Sequence, residues 1–336
     1  MNNNTSSEDC SLVIIGGGAA GLSILQHLCE KNFTKKIIVI EKNINQLARG
    51  VAYAKHYNHQ PLNVQANKMG IEANNPRGFY SWLKNNADNY SIEKGAKEDE
   101  FIARSIYGDY LEEYLDNIKK KMSNLKFIID DCVDVFYEED KYYIVKTNSR
   151  NIKTQYLILA SGNFTPADIP NGTDLFYSSS QYINSPWQKN LEDKLKNKNE
   201  IIIVGSGLSA IDVVLSLIKI KYNGKINMLS RRGKLPLLHT IEEKIIIDKS
   251  IKTLNTIYGI YYFLKEQIEY FKHKDIEWQN VIDAMRPYTS YLWQKLNISE
   301  KRKFLRVLRP LWEIHRHRVP EKSMSIVNGL ISENKL

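Results

Sequence analysis

Three features of this 336-residue sequence predict an α/β fold built on two Rossmann-like units. A short apolar run, a glycine-rich turn and a helical pattern follow one another twice, the turns starting at Gly16 and Gly205, 205 − 16 = 189 residues apart. Each unit closes with a further apolar run, as a β-α-β crossover requires. A row of strand-like stretches separates the two. The separation is that of a duplicated architecture, since solenoid repeats recur at about 20–50 residues.

Residues 1–10 read as a polar tail. Leu12–Ile15 is the first buried strand, Leu22, Ile24, Leu25 and Leu28 fall at helical spacings, and Ile37–Ile40 closes the unit. Residues 42–75 are irregular and rich in Asn and Gln. Helices are expected around Phe79, Trp82 and Leu83, and over Tyr107–Ile118. Strands are expected at Phe127–Ile129, Val133–Tyr137, Tyr142–Val145 and Tyr156–Ala160. Pro166, Pro170 and Pro186, among many Ser and Asn residues, mark a connector. The second unit begins with Ile201–Val204, continues as a helix towards Tyr222 with Gly224 as its stop, and closes with Lys225–Leu229. Beyond residue 240 the pattern is helical, with aromatic clusters such as Tyr261, Tyr262 and Phe263. The predicted division is a first domain at 1–165, a connector at 166–198 and a second domain with a helical extension at 199–336.

Hydrophobic residues make up 43% of the chain, enough for a large core. The net charge of +9 reflects either a Lys- and Asn-rich proteome or a positive field for phosphate-rich ligands. The lysines are scattered rather than clustered, which disfavours nucleic acid as a partner. Cys10, Cys29 and Cys132 are far apart and form no C-x-x-C, which disfavours a disulfide framework and a redox dithiol. The N-terminus lacks the basic and apolar regions of a secretory signal, and no apolar run approaches the roughly 20 residues of a membrane span. A soluble cytoplasmic protein is therefore expected, with a small-molecule substrate and no membrane partner.

In the first turn Gly16, Gly18 and Gly21 occupy the G-x-G-x-x-G positions. The first permits the tight turn, the second lets backbone approach a pyrophosphate, and the third lets the helix pack against the strand. The following helix N-terminus offers free N–H groups to phosphate. Glu41, 41 − 21 = 20 residues on, stands where a carboxylate accepts ribose hydroxyls. In the second turn, Gly205-Ser206-Gly207-Leu208-Ser209-Ala210, alanine replaces the third glycine. Ser230, Arg231 and Arg232 follow its second strand. Donors there in place of an acid point to the 2′-phosphate of NADPH, against the plainer reading of a basic surface turn.

Further stretches sharpen the reading: Gly50-Val51-Ala52-Tyr53, Leu62-Asn63-Val64 with Met69, Arg104 with Tyr107-Gly108 and Tyr110, Asp212 in the second unit, Gly233 after the arginines, Asp283 to Pro287, and His315-Arg316-His317-Arg318. With the two turns, they make almost the whole chain resemble the FAD-NAD(P)-binding protein family, relatives of flavin monooxygenases that include urate-hydroxylating and amine-oxidising enzymes. The resemblance implies FAD in the first domain, NADPH in the second, and a second domain inserted into the first. Beyond the turn and Glu41, it implies FAD contacts from Ala19, Ala20, Lys42, Tyr53, Val133, Ala160, Ser161 and Gly162, with Leu62, Asn63 and Val64 lining the isoalloxazine ring. In such proteins the chain returns after the second domain to complete the flavin end. Here 336 − 318 = 18 residues follow Arg318, so poor FAD retention by this chain alone is expected.

His315 and His317 do not share a helical face, so no metal site is expected. Arg309, Arg316 and Arg318 either touch phosphate or brace the domain, and bracing is the preferred reading. No nucleophile elbow, Ser-His-Asp order or paired-carboxylate arrangement stands out, as suits an enzyme whose cofactor carries the chemistry. The expected reaction is hydride transfer from NADPH to flavin, followed by O₂ activation or reduction of an acceptor. The resemblance favours a monooxygenase acting on a small amine or nitrogen heterocycle. The alternative is a non-catalytic or incomplete FAD/NAD(P)-binding module.

Overall fold

The computed structural model describes residues 7–90, 97–138, 141–164, 166–168, 172–188, 190–240 and 243–336. The chain divides into two compact units, Met1–Leu191 and Glu192–Leu336.

The first unit holds β1 (Ser7–Ile15), α1 (Ala19–Glu30), β2 (Ile37–Glu41), α2 (Gly78–Asn85), α3 (Arg104–Lys121), β3 (Leu125–Ile129), β4 (Cys132–Glu138), β5 (Tyr142–Thr147), β6 (Asn151–Leu159) and the short α4 (Asp174–Tyr177). Its sheet has the order β3-β2-β1-β6-β5-β4. The strands from β3 to β6 in that order are parallel, whereas β5 and β4 complete an antiparallel meander. Alternation explains the unbroken apolar runs. Leu12, Ile14, Ile37 and Val39 face a core with Leu22 and Leu25 of α1, Phe79 of α2, and Tyr110 and Leu111 of α3. Val13, Ile38, Ile40 and Ile128 face the opposite way, against Val145 and Ile152 of the meander. Strands covered on both faces lose the polar alternation of a half-exposed sheet.

The polar tail is shorter than its hydropathy predicts. Ser7, Glu8, Asp9 and Cys10 pair with Asn151, Ile152, Lys153 and Thr154, so β1 begins at Ser7 and β6 at Asn151. Ladder hydrogen bonds come from backbone and need no apolar side chain. Glu8 also binds Lys36 at 2.9 Å and Lys126 at 2.7 Å, which anchors this polar stretch. The six strands of this sheet all lie between Ser7 and Leu159, and among the described residues none comes from the second half of the chain.

Beginning in α5 (Leu191–Leu195), which crosses the boundary, the second unit holds β7 (Glu200–Val204), α6 (Leu208–Lys219) and β8 (Lys225–Leu229), the strands forming a two-stranded parallel sheet. Helices α7 (Ile257–Lys272), α8 (Trp278–Ala284), α9 (Arg286–Lys295), α10 (Ile298–Lys303), α11 (Arg309–Arg316) and α12 (Glu321–Ser332) follow. A π-helical turn, Phe304–Leu308, joins α10 to α11. Ile247, Ile251, Ile260, Phe271, Val281 and Leu292 are buried together among these helices. In β7, Ile201 and Ile203 are buried while Ile202 and Val204 are 61% and 66% exposed. Gly224 does not stop α6. The helix ends at Lys219 and Lys221 takes the left-handed conformation, φ 54°. Gly224 instead permits a close approach, because a Cβ there would lie 2.4 Å from the Asn199 carbonyl oxygen. No helix among the described residues is long and apolar enough to cross a membrane.

Candidate dinucleotide sites

The glycines of the first turn pack closely against backbone of their own unit. Gly16 has φ 105°, and its N–H donates to the Ile40 carbonyl at 2.8 Å. A Cβ on Gly16 would lie 2.1 Å from the Ala160 oxygen, one on Gly21 would lie 2.1 Å from the Gly16 oxygen, and one on Gly18 would lie 3.0 Å from Gly50 Cα. Gly18 is the N-cap of α1 and no side chain caps it, which leaves the first N–H groups of the helix to an anion.

Glu41 is buried at the end of β2. Its Oε2 accepts from Gly17 N–H at 2.9 Å and its Oε1 from Asn43 N–H at 3.1 Å. These bonds fix the carboxylate, and each oxygen retains acceptor capacity for a ribose hydroxyl. Ala160 N–H donates to the Ile15 carbonyl at 2.7 Å, which brings the Ala160-Ser161-Gly162 stretch beside Gly16. Asp130 N–H donates to the Glu41 carbonyl at 3.1 Å, which brings the chain entering β4, and with it the 53% exposed Val133, to the Glu41 end of the sheet. Ala19 is half-buried, and Ala20 and Lys42 are exposed. An uncapped helix N-terminus beside a fixed buried acid fits a dinucleotide at this turn, and the closely packed glycines hold its shape.

The structure adds a positioning residue that the motif reading passed over. Ala48 N–H donates to the Gly17 carbonyl at 2.7 Å, so the segment before Val51 lies on the glycine turn. Arg49, 1% exposed, holds that segment. Its Nε and Nη2 donate to Glu112 at 2.6 and 2.8 Å, Nη1 donates to the Tyr53 and Ser105 carbonyls at 3.1 and 3.0 Å, and Nη2 also meets Asp109. A Cβ on Gly108 would sit 2.2 Å from Arg49 Nη1, so α3 carries glycine where the guanidinium passes. Arg49 directly precedes the Gly50–Tyr53 stretch, a position that signalled it, but a lone arginine in an irregular segment does not disclose burial. Tyr53 is half-buried, edge-on to Tyr107 with ring centroids 4.8 Å apart. The Leu62 side chain is 2% exposed and packs in the core. Asn63 and Val64, half-buried, are the members of that stretch that reach solvent.

The second turn has the same backbone and none of that close packing. Gly205 has φ 116° and donates to the Leu229 carbonyl at 2.7 Å. Among the described residues, a Cβ on Gly205 or Gly207 would meet nothing within 4 Å. Gly207 caps α6 with no side-chain bond, Leu208 is half-buried and Ser209 is exposed. Ser206 Oγ donates to the Lys234 carbonyl at 2.7 Å, and Ser230 Oγ accepts from Gly233 N–H at 3.0 Å. Ser230 thereby shapes the turn carrying Arg231 and Arg232, both exposed and, among the described residues, without a hydrogen bond or ion pair. An open loop beside two unengaged guanidiniums fits a phosphorylated nucleotide.

The two later stretches meet. Arg318, 3% exposed, donates to Asp283 at 2.5 Å, and Arg286 lies 3.3 Å from the same carboxylate. Arg318 thus braces α8, and Arg309 pairs at 3.3 Å with Glu313 on its own helix. The histidines take separate partners: His315 Nδ1 lies 2.7 Å from the Leu311 carbonyl and His317 Nδ1 lies 2.7 Å from Glu313. Among the described residues no group of three or more His, Cys, Asp or Glu side chains is placed to hold a metal.

Residues 13–164 match the model of the FAD-NAD(P)-binding family. No curated protein matches the sequence. The structure is similar to the reduced form of ornithine hydroxylase from Pseudomonas aeruginosa, with TM-score 0.59 and 12% identity over 97% of this chain and 70% of that one. It is similar also to ornithine N-hydroxylase from Kutzneria sp. 744, with TM-score 0.58 and 12% identity over 97% of this chain and 68% of that one. Against cyclohexanone monooxygenase from Rhodococcus sp. Phi1 bound to NADP+, the TM-score is 0.47 and the identity 16%. The match covers 77% of this chain and 45% of that one, so this chain spans less than half the length of that monooxygenase. The matched stretch runs from β1 to just past β6 and contains the first glycine turn and Glu41.

Proposed function

We propose that this chain is an FAD-dependent oxidoreductase that takes hydride from NADPH, and that it serves as a monooxygenase for a small amine or nitrogen heterocycle. The observation that carries the reading is the first turn, where the N-terminus of α1 is uncapped and Glu41 is held beside it by Gly17. In this reading the α1 N-terminus faces the FAD pyrophosphate and Glu41 accepts from its ribose. Gly205, Ser206 and Gly207 receive the nicotinamide nucleotide, and Arg231 and Arg232 donate to its 2′-phosphate. When bound, the flavin supplies the two-electron chemistry, and the chain supplies binding, orientation and charge. The two hydroxylases of similar fold are named for ornithine, a small amine, which supports that substrate class.

The absorbance spectrum of the purified chain tests the reading. Flavin bands, bound or restored by added FAD, that bleach with NADPH are expected. A colourless protein that FAD does not reconstitute would favour a non-catalytic or incomplete nucleotide-binding module.

A further inference from the structure

The second unit carries an arginine cluster that neither glycine turn uses. Asp283 is shared by Arg318, at 2.5 Å, and Arg286, at 3.3 Å. Arg318 is 3% exposed, and among the described residues its Nε has no hydrogen-bond partner. Arg316, at the end of α11, lies within electrostatic reach of Asp283, Arg286 and Arg318. It is half-buried and, among the described residues, has neither a hydrogen bond nor an ion pair. Burial, followed by the like charge of Arg286, pushes the Arg316 guanidinium below its ordinary pKa. Guanidinium groups nevertheless stay charged in proteins, so three cations face one carboxylate.

Arg49 shows how this chain treats an arginine whose role is structural. That guanidinium has two carboxylates and two carbonyl oxygens as partners. Leaving buried charge unpaired is unfavourable. The Asp283 cluster is short of two negative charges, and its spare donors include the buried Arg318 Nε. A carboxylate would supply one charge. A phosphate monoester supplies close to two, with three acceptor oxygens suited to guanidinium forks.

We propose that Arg286, Arg316 and Arg318 form a phosphate-binding site, with Asp283 holding Arg318 and Arg286 in place. The phosphate is either a free or substrate-borne monoester or the pyrophosphate of a nicotinamide nucleotide, whose 2′-phosphate the proposed function gives to Arg231 and Arg232. The site stands apart from the flavin reading, since it uses neither the Gly16 turn nor Glu41.

The test uses the full chain in chloride buffer at fixed ionic strength, comparing wild type, R316Q, R316K and the R231Q/R232Q double variant. Thermal unfolding is followed against inorganic phosphate, and intrinsic tryptophan fluorescence against NADP+. R316Q is expected to weaken at least one of these ligands tenfold or more. Without phosphate it should unfold at the wild-type temperature or above, because it removes an unpaired charge. R316K, which keeps the charge and loses the fork, should fall between, and it serves in place of R316Q if that variant does not fold. Weakening of NADP+ comparable to that in the double variant assigns the phosphate to the nucleotide. Weakening of inorganic phosphate alone assigns it to a free or substrate-borne group. If the Arg316 variants bind both ligands as wild type does, or if neither ligand acts on wild type beyond matched chloride, the proposal is overturned.

Discussion

The two glycine turns share a backbone and differ in what surrounds it. Gly16 and Gly205 have φ of 105° and 116°, and each donates its N–H to the strand beside it. Around the first turn, added Cβ atoms on Gly16 and Gly21 would come within 2.1 Å of backbone oxygens. Around the second, Cβ atoms on Gly205 and Gly207 would, among the described residues, meet nothing within 4 Å. Gly16 and Gly21 are therefore required by the fold itself, and any ligand uses a shape already held. In the second turn only the left-handed backbone of Gly205 constrains the residue type, and the space beside it is free for a nucleotide. One motif thus carries two kinds of constraint, steric in one unit and conformational in the other.

Substitutions separate the two. Gly16→Ala combines a left-handed backbone with a clash against the Ala160 carbonyl, and we expect a loss of roughly 4 kcal/mol or more in urea unfolding, or an insoluble product. A soluble variant of near wild-type stability would remove the steric half of the contrast. Arg49→Met strips two carboxylates and two carbonyls of their shared donor and should cost about 3 kcal/mol. Gly205→Ala meets only the backbone cost, about 1–2 kcal/mol. Gly207→Ala should change stability by no more than about 0.5 kcal/mol while weakening nucleotide binding. If Gly207→Ala unfolds the second unit, that turn is not open in solution.

Arg231→Ala and Arg232→Ala should leave stability unchanged. Each should weaken NADPH by on the order of 10–100-fold with little effect on NADH, the loss of one charge-assisted hydrogen bond. Flavin reduction measured with both nucleotides checks this, and equal losses for the two would remove the 2′-phosphate from the role. The smallest effect is on pH dependence. Hydrogen bonding to Arg49 holds the Glu112 carboxyl below its ordinary 4.5, and Lys126 and then Lys36 do the same for Glu8. Both folded values are depressed, so this stabilisation is present above 4.5 and is lost as pH falls through them. Arg49→Met should therefore flatten the acid limb of the stability profile. An unchanged slope would show that Glu112 gains nothing from the pair.

Much of this was legible from local pattern. The β-α-β units, both glycine turns, Glu41 and the helical character beyond residue 240 follow from apolar spacing and glycine placement, because strands buried on both faces and tight turns leave short-range signatures. The polar start of β1 was not legible, since Ser7–Cys10 join the sheet through backbone pairing with Asn151–Thr154. The end of α6 has no glycine to mark it in the sequence, because Lys221 takes the left-handed position.

What the sequence by itself determined is the order of the strands and turns along the chain and the chemical types offered at each turn: an acid at 41, arginines at 231 and 232. What only the tertiary structure decided is which residues enclose them. Arg49 is buried against Glu112 and Asp109, Leu62 lies in the core, and Asp283 meets Arg318 across 35 residues while Arg316, among the described residues, has no hydrogen bond or ion pair. The reason is physical. Turn geometry and strand burial are set by neighbours a few residues apart, whereas the cost of a buried charge depends on carboxylates and carbonyls that folding brings from distant parts of the chain.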